Sequence, residues 1–197
     1  MISEGLFRLE ALQELANIGG GNAATSLSKL VGKPIQMTIP TVEEMAYEKV
    51  FQTLRSEEEV VKAVMMELRG NAGGVFLFVM SEESAADWAG LLFNGEEQSS
   101  NELIESALKE LVNILVHSFL NAVIQILGVN LLSSVPIMME DMFGSILSSL
   151  YMEQEQYDDQ VIILKNAFYC EGDQIEGSLY FVPKPGVLEK LVKLLGV

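Results

Sequence analysis

Apolar residues recur along the first half of the chain at two different periods, and each period predicts a different kind of element. Between residues 4 and 31 they are three or four positions apart, the spacing that places them on one face of a helix. Over residues 34–41 they alternate with polar residues, as in a half-buried strand. The elements predicted next are a strand at 60–69, a turn at Gly70 and Asn71, a strand at 73–80 and an amphipathic helix at 82–94.

The second half repeats this order of elements after a polar segment at residues 96–101. The predicted elements are a helix at 102–127 ending at Gly128, a strand at 131–136, a short helix at 138–152, a hairpin at 160–170 and 175–183, and a final helix at 186–195. Because strands follow one another within each half, antiparallel pairing is favoured over parallel strands joined by crossover helices.

A short polar motif is also duplicated: Glu-x-x-Asn, followed by a proline 23 positions after the Asn. The two copies are Glu14, Asn17, Pro40 and Glu110, Asn113, Pro136, and every member is displaced by 96 residues. That displacement is too long for a solenoid repeat. We therefore predict one α+β domain over residues 1–197, made of two pseudo-twofold halves at about 1–97 and 98–197. Its antiparallel sheet would carry two long helices with their motif faces exposed.

The charge balance excludes several classes of partner. With 28 acidic and 12 basic residues, the net charge of −16 argues against binding to nucleic acid or to an anionic membrane surface. The single cysteine, Cys170, cannot form an intramolecular disulfide and is expected in the core. The apolar stretch at 103–127 is interrupted by polar residues, and no basic segment precedes an apolar run at the N-terminus, so we expect a cytoplasmic protein.

On each long helix the motif residues share one face, because residues three or four apart are neighbours there. The two polar stripes are Glu10, Glu14, Asn17, Gly21 and Ser106, Glu110, Asn113, His117. The simplest interpretation is that both stripes are solvated helix faces. Asn is, however, an unfavourable residue inside a helix. Its recurrence at equivalent positions of two helices therefore indicates a functional role.

An acid and an amide support a limited chemistry. The Asn side chain can orient a water molecule, and the Glu carboxylate can bind a partner's Lys or Arg or act as a base. Positioning a water against phosphorus is a recognised way to catalyse phosphoryl transfer. The sequence has neither a phosphate loop nor a set of metal ligands. Gly19, Gly20 and Gly21 are better explained by close helix packing, and a phosphate substrate would have to bring its own metal.

The motif resembles the active-site signature of the CheC/CheX/FliY phosphatases of bacterial and archaeal chemotaxis, Asp/Ser-x3-Glu-x2-Asn-x22-Pro. Ser106, Glu110, Asn113 and Pro136 match it in full. The first copy departs from it only at Glu10, where Asp or Ser is usual. The run from Asn17 to Thr25 is also similar to the family's first helix, and two sites in one chain of this length are typical of its CheC branch.

This resemblance implies an enzyme of two-component signalling that hydrolyses the aspartyl phosphate of the response regulator CheY. Asn17 and Asn113 would position the water, Glu14 and Glu110 would contact a partner Lys, and CheY would supply the Mg²⁺. The chain itself would bind no cofactor and would be a monomer on its own. The departure at Glu10 predicts that the second site carries at least as much activity as the first.

The resemblance further implies binding to the receptor deamidase CheD through a helix at 140–152. The expected contacts are Asp141, Met142 and Phe143, with Met142, Phe143, Ile146 and Leu147 exposed. Two alternatives remain: a non-catalytic module that regulates CheD, and a flagellar-switch docking protein, for which this chain leaves no room for the expected extra segments. His117, one turn beyond Asn113, is a candidate supporting residue of the second site.

Overall fold

The computed structural model describes residues 2–70, 73–95, 100–153, 160–170 and 175–196. Within these residues the helices and strands alternate in the same order in each half. The first half contains α1 (Ile2–Val31), β1 (Ile35–Met37), β2 (Thr41–Ala46), α2 (Tyr47–Thr53), β3 (Val60–Gly70), β4 (Gly74–Met80) and α3 (Glu82–Leu92). The second half contains α4 (Asn101–Leu127), β5 (Leu131–Ser133), β6 (Ile137–Met142), α5 (Phe143–Glu153), β7 (Gln160–Cys170), β8 (Glu176–Pro183) and α6 (Val187–Leu195).

All the strands join one antiparallel sheet in which the halves are interlocked. The order is β1-β7-β8-β4-β3-β5, with β2 also on β7 and β6 also on β3. The first two strands of each half therefore pair with the hairpin of the other half. The registers are equivalent, since Ile35 lies opposite Cys170 and Leu131 lies opposite Gly70. The predicted α+β class, antiparallel pairing and pseudo-twofold duplication are confirmed.

The core lies on both faces of this sheet. The helices α1, α4, α3 and α6 pack on one face, where Leu27, Trp88 and Leu115 are fully buried. The helices α2 and α5 cover the other face, around Val50 and Phe143. All residues of the central strand β4 are buried, as expected for a strand with a helix layer on each side.

Among the described helices, α4 is long and apolar enough to cross a membrane by length and composition alone. The side chains that make it apolar pack in the core beside the sheet, including Leu111, Leu115 and Phe119. A core helix packed against a sheet meets the same criteria, so the composition of α4 is accounted for by packing.

Three of the predicted elements are wrong in part. The strand at 34–41 is split into β1 and β2, and the predicted helix at 138–152 begins only at Phe143. Residues 137–142 form a strand because they pair along the edge of β3. In this pairing Val60 lies opposite Met142 and Met65 lies opposite Ile137. Strand β5 ends at Ser133, earlier than predicted, and Asn71 and most of the polar segment at 96–101 lie outside the described residues.

Candidate active site

Both motif pairs lie on helix faces that point away from the sheet. Glu14 and Asn17 are exposed on α1, whereas Leu15 and Ala16 beside them are buried. On α4, Glu110 is exposed and Asn113 is half-buried. The leading residues Glu10 and Ser106 are exposed as well. Helical geometry therefore brings each acid–amide pair together at the surface, as the sequence predicted.

The spacing between the Asn and the proline has a geometric cause. From Asn17 to Val31 the helix advances about 21 Å along its axis. Gly32 then reverses the chain in the left-handed conformation, and β1 with its following residues returns by about 17 Å. Pro40 therefore lies beside the part of α1 that carries the motif. Gly128 has the same conformation and role in the second half.

Hydrogen bonds attach the proline-containing loops to their surroundings. The side-chain amide of Gln13 donates to the carbonyl of Pro40 over 2.8 Å, which joins α1 to the loop between β1 and β2. In the second half the loop between β5 and β6 is joined to β3. There the Ser134 N–H donates to the Glu67 carbonyl over 2.8 Å, and the Glu67 N–H donates to the Ser134 hydroxyl over 2.9 Å.

The second site is organised by a chain of polar contacts. The side-chain N–H of Asn113 donates to Glu110 Oε2 over 3.3 Å. His117 Nδ1 donates to the backbone carbonyl of Asn113 over 2.8 Å, because a carbonyl can only accept. The other ring nitrogen, Nε2, is hydrogen-bonded to the Ser133 hydroxyl over 3.1 Å. His117 thus links the turn of α4 that carries Asn113 to β5.

The first site lacks this link. Gly21 stands at the position of His117, and a Cβ there would meet nothing within 4 Å. Met37 stands where the second half has Ser133. Within the described part of the chain, the side chains of Glu14 and Asn17 have no hydrogen-bond partner in the protein. The first pair is therefore open to a partner, and the second is already held in place.

The chemistry available at both sites is narrow. Among the described residues, no three His, Cys, Asp or Glu side chains are grouped so that they could hold a metal ion. One side-chain N–H of Asn113 donates to Glu110, and the amide carbonyl oxygen can accept from a water. The arrangement can orient a water and contact a cation, but it supplies no nucleophile of its own.

Two of the three consecutive glycines of α1, Gly19 and Gly20, have a packing role, whereas Gly21 has none. A Cβ on Gly19 would lie 2.8 Å from the ring of Phe119 on α4, and one on Gly20 would collide with the side chain of Asn166 on β7. The glycines let α1 approach both neighbours closely, as the sequence predicted. Cys170, predicted to be in the core, is buried at the end of β7.

The predicted exposure of the 140–152 region is only partly correct. Asp141 and Met142 are exposed, but they lie on β6. Phe143, Ile146 and Leu147 are at most 4% exposed, so their predicted exposure is wrong. Their side chains form the second core cluster because α5 is the cover of that sheet face. Next to it runs a groove of about 260 Å³, whose lining includes Met65, Met139, Asp141, Ser145 and Ser149.

The fold and the site together define a class: a duplicated α+β domain that presents an acid–amide pair on each of two long helices, beside a proline-containing loop. The CheC-like family model matches residues 7–44, which include the first motif, and the model of the chemotaxis phosphatase CheX matches residues 62–158, which include the second. The chain belongs to the CheC/CheX/FliY family.

Individual relatives agree with this assignment. The CheY-P phosphatase CheC of Bacillus subtilis (strain 168) is 26% identical over 196 residues, covering 96% of this chain and 94% of the relative. The crystal structure of Thermotoga maritima FliY superposes with a TM-score of 0.76 at 22% identity, covering 96% of both chains. CheX in the CheX–CheY–BeF3–Mg²⁺ complex of Borrelia burgdorferi has a TM-score of 0.52 at 15% identity, covering 83% of this chain and 93% of that one. The two structures share the fold.

Proposed function

We propose that this protein hydrolyses the aspartyl phosphate of phosphorylated CheY, and that Asn17 and Asn113 each hold the attacking water. The observation that carries the proposal is the exposed pair of Asn113 and Glu110, joined over 3.3 Å so that the amide carbonyl is left for a water. The name of the Bacillus subtilis relative and the CheX–CheY complex of the same fold support CheY as the substrate.

In the proposed reaction the Asn carbonyl accepts a hydrogen bond from the water, whose oxygen attacks the phosphorus opposite the acyl oxygen. The bond between phosphorus and that oxygen breaks, the CheY aspartate leaves as carboxylate, and the water's proton passes to the phosphate or to solvent. Positioning supplies most of the catalysis in such a reaction. Glu14 and Glu110 contact a Lys of CheY, which also brings the phosphate and Mg²⁺.

The test is phosphate release from purified phospho-CheY. Combining Asn17→Ala with Asn113→Ala should reduce the rate by roughly 100-fold or more, because the water loses its orientation. Both side chains are at least partly exposed, so the fold should be retained. The matched control combines Asn22→Ala with Asn121→Ala, two other exposed Asn on the same helices, and should stay near the unmodified rate. Near-normal hydrolysis by the first double variant would contradict the mechanism. Binding without hydrolysis by the unmodified protein would favour a non-catalytic module.

The second part of the proposal is that CheD docks at the groove between β6 and α5. The burial of Phe143, Ile146 and Leu147 moves the contact from the face of α5 to Asp141, Met142 and the neighbouring methionines. A groove with methionine side chains and a charged rim fits the anatomy of a specific interface.

Asp141→Lys should weaken CheD binding about tenfold or more, because it reverses a charge at the rim, and should leave hydrolysis of phospho-CheY unchanged. Calorimetric titration with CheD measures the first effect and phosphate release the second. Asp87→Lys, an exposed charge reversal on α3, is the control that should alter neither. Equal CheD affinity for both variants and the unmodified protein would place the interface elsewhere.

A further inference from the structure

One feature recurs in both repeats and is used neither by the core nor by the acid–amide pairs. It is the apolar residue directly before each motif proline. Ile39 is 77% exposed and Val135 is 76% exposed, and the two are separated by the repeat distance of 96 residues. Single exposed apolar residues are ordinary on a protein surface. The same exposure at equivalent positions beside two polar sites has no explanation in the packing of this fold.

Both residues lie on loops that are held next to the site helices. Pro40, which follows Ile39, accepts a hydrogen bond from Gln13, the neighbour of Glu14. Val135 lies two residues beyond Ser133, which contacts His117 on α4. These contacts place the loop that carries each exposed apolar residue next to the part of the helix that carries the acid–amide pair.

The loops are also restricted in conformation. A residue that precedes proline is confined to extended backbone, and the proline fixes its own φ. The hydroxyl of Ser134 accepts from the N–H of Glu67, which anchors the second loop from the other side. An exposed side chain on such a loop loses little conformational entropy when a partner covers it.

Electrostatics indicate why an apolar contact is needed here. The chain carries a net charge of −16, and Glu10, Glu14, Glu102, Glu105 and Glu110 lie along the site helices. In the proposed reaction Mg²⁺ offsets the charge of the phosphoryl group and one Lys contacts each acid–amide pair, so attraction between charges is confined to a few contacts at the centre of the site. Burial of apolar surface does not depend on charge and can add to the affinity.

We infer that Ile39 and Val135 are apolar docking anchors for phosphorylated CheY, one at each site, and that they contribute to affinity while Asn17 and Asn113 determine the rate of the bound reaction. This inference rests on the proposed function. The loop before each proline then has a role separate from that of the motif. The folded partner covers this loop, and the loop's apolar side chain enters the centre of the interface.

The experiment uses Ile39→Ser combined with Val135→Ser and measures binding to beryllofluoride-activated CheY as well as phosphate release. The expected result is about a tenfold weaker affinity at each site, the amount typical for removing an exposed aliphatic anchor that becomes buried. KM for phospho-CheY should rise by about the same factor, with kcat at saturation unchanged. Met152→Ser is the matched control, because Met152 is also 76% exposed but lies on α5, across the sheet from the sites.

The outcomes separate this inference from the proposed function. If the unmodified protein releases no phosphate, the proposed function fails, and binding of activated CheY still tests the anchors. If hydrolysis is normal and the double Ser variant keeps its affinity and KM, the inference is overturned. A fall in kcat at unchanged KM, or an equal loss of affinity in Met152→Ser, overturns it too. The milder double variant, Ile39→Ala with Val135→Ala, should have an affinity and a KM between those of the unmodified protein and those of the double Ser variant. It guards against the possibility that the double Ser variant misfolds.

Discussion

At the residue scale, Asn113 is held from two sides, whereas Asn17 has no such support. Glu110 accepts from its amide, and His117 connects its backbone carbonyl to Ser133 on β5. The contact with β5 is present only in the second half, where His117 stands in place of Gly21 and Ser133 in place of Met37. A water held by Asn113 needs less ordering of the site when CheY arrives, so the second site should have the higher kcat.

The contribution of His117 can be isolated by removing one site at a time. In an Asn17→Ala background only the second site works, and there His117→Ala should reduce kcat about 3- to 10-fold, since two hydrogen bonds near Asn113 are lost. In an Asn113→Ala background the same His117→Ala change should have no effect, because the first site has no counterpart of this contact. A similar loss in both backgrounds would mean that His117 merely stabilises the fold.

At the scale of elements, the position of α1 depends on Gly19 and Gly20, which face different neighbours, and not on Gly21, which faces none within 4 Å. Gly20→Ala should lower the free energy of unfolding by roughly 1–3 kcal/mol, because its methyl group would overlap Asn166, which is fully buried. Gly21→Ala, one residue further, should raise it by about 0.5–1 kcal/mol, because an alanine favours the helix and meets nothing. Urea denaturation measures the free energy of unfolding of both variants. If the two substitutions changed it in the same direction, the described packing would be contradicted.

Elements with a strong period were predictable, and elements defined by their partners were not. Both site helices follow from the period of their own apolar residues. Residues 137–142 have the composition of either a helix or a strand, and pairing with β3 determines that they are β6. The burial of Phe143 could not be read from the sequence either, since it depends on which sheet face α5 covers.

The contacts of the site also divide into those predictable from local spacing and those that depend on distant parts of the chain. The acid–amide pairs were predictable because residues three positions apart meet on any helix. The contact between Gln13 and Pro40 joins residues 27 positions apart, and the one between His117 and Ser133 joins residues 16 apart. Such contacts depend on how the helix, the reversing glycine and the short strand fit together. Only the candidate status of His117 could be inferred beforehand.

At the scale of the whole molecule, neither half has a complete sheet of its own. Strands β1 and β2 use β7 of the second half, and β5 and β6 use β3 of the first. The duplication and the antiparallel pairing were predictable from the repeated order of elements. The exchange of strands was not, because each half also contains a hairpin that could have paired with its own first strands.

This exchange has a consequence for the order in which the protein can form during synthesis. Ile35 reaches its partner only when Cys170 has emerged from the ribosome, late in the chain. The second site has no such delay, because β3 has been made before β5 and β6 appear. Pairings over so long a sequence separation also slow folding. The second site can therefore assemble during translation, whereas the loop of the first site acquires its supporting strand only near the end.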